Sequence, residues 1–170
     1  TDGSLDTTFN PDASAGADIY AVALQRDGKI VIGGSFVTVG GVARSGLARL
    51  NVDGSLDLGF NPGTDQGVFA LAVQQDDKIL VGGTFTTIGG GGTGNTARNR
   101  IARLNGDGTV DSFDPGADLA VYSIAVQTDG RIVVGGAFTT IGGGGAGNTA
   151  RFRLARLEAN GAVDGFFIPN

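Results

Sequence analysis

One segment is written three times along the chain. The string Q-x-D-[GD]-[KR]-I-[VL]-[VI]-G-G-x-F begins at Gln25, Gln74 and Gln127, and its Gly pair recurs as Gly33-Gly34, Gly82-Gly83 and Gly135-Gly136. Steps of 49 and 53 residues fall where self-similarity marks stacked supersecondary units, because one such unit cannot bury its apolar face alone. The period constrains the fold more than any single residue does.

Each repeat reads as four short strands. The first covers Ile19 to Gln25, Val68 to Gln74 and Val121 to Gln127 and alternates apolar with small residues, which suits a strand in a crowded place. A turn at Asp27-Gly28, Asp76-Asp77 or Asp129-Gly130 leads to the second strand, Lys29 to Phe36, Lys78 to Phe85 and Arg131 to Phe138. Asp-Gly is a strong hairpin signal. The nearly continuous apolar run implies burial on both faces, with the Gly pair where another backbone approaches or the strand bends. Asp77 stands where the other repeats have Gly, at a position expected to need positive φ. A Gly-rich loop, five residues longer in the second and third repeats, precedes a third strand carrying GLARLN, RIARLN or RLARLE. A second tight turn at Asp53-Gly54, Asp107-Gly108 or Asn160-Gly161 then opens a fourth strand.

Four antiparallel strands recurring about every 50 residues, apolar on both faces, describe an all-β chain of propeller blades. The expected division is an orphan outer strand and linker at residues 1–16, with its strand at Ser4 to Phe9, followed by blades at 17–66, 67–117 and 118–170. Three blades do not close a ring, since propellers typically hold about four to eight. The open edges therefore call for further blades, from a longer chain or from other copies, arranged as a ring or as a filament. The start in mid-repeat without an initiator Met suggests a processed or excised segment.

Composition narrows the function classes. Of 170 residues, 32 are Gly and the acids divide into 16 Asp and one Glu, a bias toward tight turns and away from helix. The net charge of −5 repels a polyanion and argues against nucleic-acid partners. No apolar run approaches the roughly 18 to 20 residues of a membrane-spanning helix, so membrane insertion is not expected. There is no Cys and no His, which removes disulfides and the usual nucleophile–base triads. A pair of catalytic carboxylates would sit in one repeat and be missing from the others, whereas most Asp here recur in the same turns. The expectation is a protein that is not an enzyme and needs no cofactor.

Taken together, the Q-x-D-G-[KR] core with its G-G-x-F ending, the A-R-L-N strand and the D-G-x-[LV]-D-x-x-F ending resemble the delta-60 repeat family of bacterial surface and secreted proteins. The resemblance covers essentially the whole chain. It implies a β-propeller and an extracellular or cell-surface setting, and it brings no catalytic residues with it.

Two groups of residues stand out as sites. Asn51-Val52-Asp53-Gly54-Ser55-Leu56-Asp57 and its equivalent ending at Asp111 have the spacing of a calcium loop, but Arg49, Arg103 and Arg156 hold the place of the first ligand. A guanidinium there repels a divalent cation and reaches Asp57, Asp111 or Asp164 across the hairpin, so structural ion pairs are expected in place of a metal. The Gly-rich loops GGGGTGNT and GGGGAGNT lack the Lys and the helix of a phosphate-binding loop. They carry Asn95, Thr96 and Arg98, and Asn148, Thr149 and Arg151, in matched positions, which makes them the expected interaction loops. Phe36, Phe85 and Phe138 recur at one strand end and read as core. The resulting expectation is a structural or interaction module of a bacterial surface or secreted protein; the alternative is a carbohydrate-binding propeller of adhesin or lectin type, its partner a glycan or a surface protein.

Overall fold

A computed structural model describes residues 2–7, 9–11, 18–92 and 94–168. Their regular structure is entirely strand, arranged as three copies of one unit. Unit 1 holds β1 (Ile19–Leu24), β2 (Ile30–Gly34), the short strands β3 (Thr38–Val39) and β4 (Val42–Ala43), and β5 (Leu47–Leu50). Unit 2 repeats this as β6 (Val68–Val73), β7 (Ile79–Gly83), β8 (Thr87–Ile88), β9 (Thr96–Ala97) and β10 (Ile101–Leu104). Unit 3 does so as β11 (Val121–Val126), β12 (Ile132–Gly136), β13 (Thr140–Ile141), β14 (Thr149–Ala150) and β15 (Leu154–Leu157). In every unit the second long strand lies between the first and the third, giving an antiparallel three-stranded sheet.

The fourth strand expected in each unit is reduced to one bridge pair, Leu50 with Leu56, Leu104 with Val110 and Leu157 with Val163. The Asp that follows turns its carboxylate onto local amide and cationic groups, so the chain leaves the ladder after one residue. The orphan strand expected at Ser4 to Phe9 is likewise not formed among its described residues, and residue 8 lies outside them. Leu5 is exposed, while Phe9 packs against Gly54. In the other direction, the Gly-rich loops, where the sequence predicts no strand, contain the short ribbons β3–β4, β8–β9 and β13–β14.

The two glycines of each pair do different work. A Cβ on Gly34, Gly83 or Gly136 would collide with the carbonyl oxygen of Asp18, Gly67 or Ala120, which accepts a hydrogen bond from the next residue's amide. That close approach accompanies a bulge in each first strand at Tyr20, Phe69 and Tyr122. The other glycine admits the following unit. A Cβ on Gly33 would stand 2.6 Å from Val68 Cγ1, and one on Gly82 would stand 2.6 Å from Val121 Cγ1. Successive sheets thus meet face to face, the second strand of one against the first strand of the next.

The core is divided between these joints. Val31 and Leu47 of unit 1 pack with Val68, Ile79 and Phe85 of unit 2. Leu80 and Ile101 of unit 2 pack with Val121, Ile132 and Phe138 of unit 3. Adjacent residues on β2 point opposite ways, so Ile32 instead joins Phe36, Val39, Ala48 and Leu50 on the far side of sheet 1. This explains the continuous apolar run of the second strand in units 1 and 2, which is buried on both faces, whereas β12 has Val133 and Gly135 only half-buried on its outer face.

Candidate functional site

In unit 1 the third strand places Arg49 so that Nε donates to Asp57 Oδ2 at 2.9 Å, while Lys29 Nζ, from the residue just before β2, reaches the same oxygen at 2.8 Å. In unit 2 Arg103 Nη2 lies 2.8 Å from Asp111 Oδ1, and Lys78 Nζ lies 3.1 Å from Oδ2. In unit 3 Arg156 Nε lies 2.8 Å from Asp164 Oδ2, with Arg131 Nε at 3.8 Å. Burial pushes the Asp57 and Asp111 carboxyls up, but hydrogen bonds from backbone amides and from the Arg and Lys outweigh it and hold both below the ordinary value. For Asp164 the amide of Phe166 is the main cause of the lowering.

Each guanidinium also lies over an aromatic ring. Arg49 sits 4.4 Å from the centroid of Phe60, Arg103 4.7 Å from Phe113 and Arg156 4.8 Å from Phe167. Arg49 Nη1 donates to the carbonyl of Gly106, and Arg103 Nη1 to that of Ala159, in each case within the turn of the next unit. One side chain therefore braces its own hairpin, stacks on a phenyl ring and ties two units together. The oxygens that would ligate calcium are otherwise engaged. Asn51 Nδ2 donates to Ser55 Oγ, which donates in turn to Asp53 Oδ1 at 2.6 Å, and the turn of Asn105, Asp107 and Thr109 is built alike.

The ribbon residues divide between exposed and inward positions. Asn95 and Asn148 are exposed, and each accepts a hydrogen bond at Oδ1 from the following Thr96 or Thr149 at 3.2 Å. Their amides lie against Gly90 and Gly143. Asn95 and Thr96 line an open cleft with Asn61, Asp107 and Thr109. Arg98 and Arg151, by contrast, turn inward. Arg98 donates to the carbonyls of Ala97 at 2.8 Å and Asp111 at 3.0 Å, and Arg151 to those of Ala150 at 2.8 Å and Asp164 at 3.3 Å. Arg44 of unit 1 does the same with Ala43 and Leu58, and was missed by sequence reasoning. The Ala-Arg pair shared by all three repeats was the available signal.

Two further arrangements were not anticipated. Asp65 Oδ1 accepts from the amides of Thr86 and Thr87 while Oδ2 accepts from Thr86 Oγ1, and Asp118 holds Thr139 and Thr140 in the same way. Tyr20, Phe69 and Tyr122, the bulge residues, form a ladder with ring centroids 5.2 and 5.8 Å apart. Their recurrence in one strand position was legible, but only the bulge brings them into line.

Sheets of this kind, stacked face to face with the small-residue strand of each against the preceding sheet, define a β-propeller protein. More particularly, the chain belongs to the DUF5122 β-propeller family, a domain of unknown function, whose model matches residues 25–60, 74–113 and 127–166. No curated protein matches the chain. Among solved structures it is similar to a catalytically inactive virginiamycin B lyase from Staphylococcus aureus crystallised with quinupristin, at 19% identity and a TM-score of 0.52 over 98% of this chain and 44% of that one. The selenomethionine form of that lyase gives 17% and 0.53 over 98% and 45%. A protein of unknown function from Bacteroides caccae gives 15% and 0.50 over 92% and 48%. The chain thus spans less than half the length of these structures, and at such identities the likeness concerns the fold alone.

Proposed function

We propose that this chain is a non-enzymatic structural and interaction module of a bacterial cell-surface or secreted repeat protein, which assembles with further blades in cis or in trans. One observation carries the reading: the two internal joints are sealed while the equivalent faces at both ends stand open. Leu47 and Ile101 are fully buried at 0%, whereas Leu154, in the same position of unit 3, is 36% exposed. Val22 and Leu24 of the first strand are 64% and 68% exposed, whereas their equivalents in units 2 and 3 are half-buried or better. Faces that are apolar and sealed twice within one chain are built to be covered.

The polar chemistry agrees with a scaffold. The Arg–Asp pairs, the inward arginines and the Asp–Thr clasps recur from unit to unit and are spent on holding hairpins. A carbohydrate-binding role is the second reading, favoured by the open polar cleft at Asn95 and Thr96, whose amides and hydroxyls suit sugar hydroxyls. A glycan array separates the two. The scaffold reading expects no glycan retained; retention that is lost in Asn95→Ala would overturn it in favour of the lectin.

A further inference from the structure

We infer that a second copy of this chain docks head to tail, the first-strand face of its unit 1 seating on the open face of unit 3. The inference deepens the scaffold reading and rests on it.

Two seated examples of the joint exist within the chain. In the first, Val68 and Leu71 lie over Gly33; in the second, Val121 and Ile124 lie over Gly82. Unit 3 offers the same seat in Gly135, with Val133 and Leu154 where units 1 and 2 bury their apolar side chains. The nearest atoms to the place of a Cβ on Gly135 are Ser123 Oγ, the carbonyl oxygen of Arg153 and Ser123 Cβ, all of its own unit, where the other two glycines meet a following unit. Unit 1 offers the matching plug. Ile19, Val22 and Leu24 stand in the register of Val68, Leu71 and Val73 and are 41%, 64% and 68% exposed. The ladder of rings continues across such a joint, with the 57% exposed Tyr122 meeting the 48% exposed Tyr20 of the second copy as it meets Phe69 within the chain.

The polar contacts are matched as well. Arg49 and Arg103 each donate to a carbonyl in the following turn. For Arg156 the equivalent acceptor is the carbonyl of Val52 in the second copy, since Val52 holds the place of Gly106 and Ala159. Phe60 lies against Gly108 and Phe113 against Gly161, and Phe9 already lies against Gly54 in the same manner. In the joint it is therefore Phe9 of the second copy that sits beneath Arg156, and Phe167 gives way. Because plug and seat are different surfaces, the contact is heterologous and propagates in one direction.

Light scattering of the 170-residue chain, with Val22→Lys and Leu154→Lys variants, tests this. Both positions are exposed in the single chain, so circular dichroism should show the fold retained. The unmodified chain is expected at multiples of 17.0 kDa, and each variant alone at 17.0 kDa. Mixing the two variants should give a species of twice that mass and no larger, because one intact seat then meets one intact plug. An unmodified chain that stays at 17.0 kDa at every concentration overturns the inference, as do variants that assemble unchanged or fail to combine. Failure here with a blank glycan array removes only the second copy and leaves a scaffold of further blades in cis. A glycan specifically retained defeats the scaffold reading whatever the mass.

Discussion

Arg103 of unit 2 donates from Nη1 to the carbonyl oxygen of Ala159 in unit 3 at 2.7 Å, while its other nitrogens hold Asp111. Arg103→Ala removes the inter-unit bond, the ion pair and the stacking on Phe113 together, and leaves Asp111, 10% exposed, with Lys78 as its remaining cation. The expected cost is about 2 to 3 kcal/mol, read from the urea midpoint. Arg156→Ala should cost clearly less in the single chain, where no following turn supplies an acceptor. Equal losses for the two would contradict the bracing role.

Gly82→Ala should destabilise by about 1 to 3 kcal/mol, because the added methyl meets Val121 Cγ1 at 2.6 Å and Ile124 Cδ1 at 3.1 Å in a packed joint. Gly135→Ala should be much milder in the single chain, where Ser123 Oγ at 2.5 Å can rotate away. Comparing their urea midpoints checks that the first glycine of each pair serves the neighbouring unit and not its own strand.

Asp77 has a φ of 61°, where the equivalent Gly28 and Gly130 have 83° and 84°. Its Oδ1 is also buried without a hydrogen-bond partner among the described residues. Asp77→Gly relieves both and is expected to stabilise by about 1 kcal/mol, raising Tm by roughly 2–4 °C in a chain of this size. An unchanged or lower Tm would argue against left-handed strain at this turn.

Burial pushes the Asp118 carboxyl up, yet hydrogen bonds from Thr139 Oγ1 and the amides of Thr140 and Thr139 lower it from 3.8 to about 2. A folded value below the unfolded one means that the clasp contributes fully above pH 3.8 and loses its contribution as the pH falls toward 2. Asp118→Asn should therefore flatten the acid limb of a stability–pH curve. A limb of unchanged steepness would show that the clasp does not drive it.

Millimolar calcium should leave Tm unchanged, because Asp57 and Asp111 already hold Arg and Lys and the turn oxygens hold one another. A rise of several degrees, the signature of a ligand that binds only the folded state, would overturn the ion-pair reading.

The legible and the hidden parts of this fold differ in range. Strand periodicity, Asp-Gly turns and the spacing that brings Arg49 to Asp57 are local, so short runs of residues reveal them. The ribbon of Thr87–Ile88 with Thr96–Ala97 is too brief for any periodicity, and it vanished into a Gly-rich loop. Arg98 and Arg151 looked like surface donors because their acceptors are backbone carbonyls, which every residue carries and no sequence pattern distinguishes. The fourth strand falls short of the sequence expectation for a related reason. Alternating residues after Asp53-Gly54 satisfy the pattern of a strand, but the carboxylate of Asp57 captures the Gly59 amide and ends the pairing.

The threefold repeat by itself determined an all-β chain, its unit, its turns and the ion pair within each hairpin, since those depend on neighbours a few residues apart. Only the tertiary structure decided how the units join. A Gly pair in sequence says that space is needed; the packed sheets show that one glycine admits the bulged strand of its own unit and the other admits the next unit. Burial is a property of surfaces brought together across some 50 residues. Leu47, Ile101 and Leu154 are nearly one residue in the repeat, and only the packing distinguishes two that are sealed from one that is open.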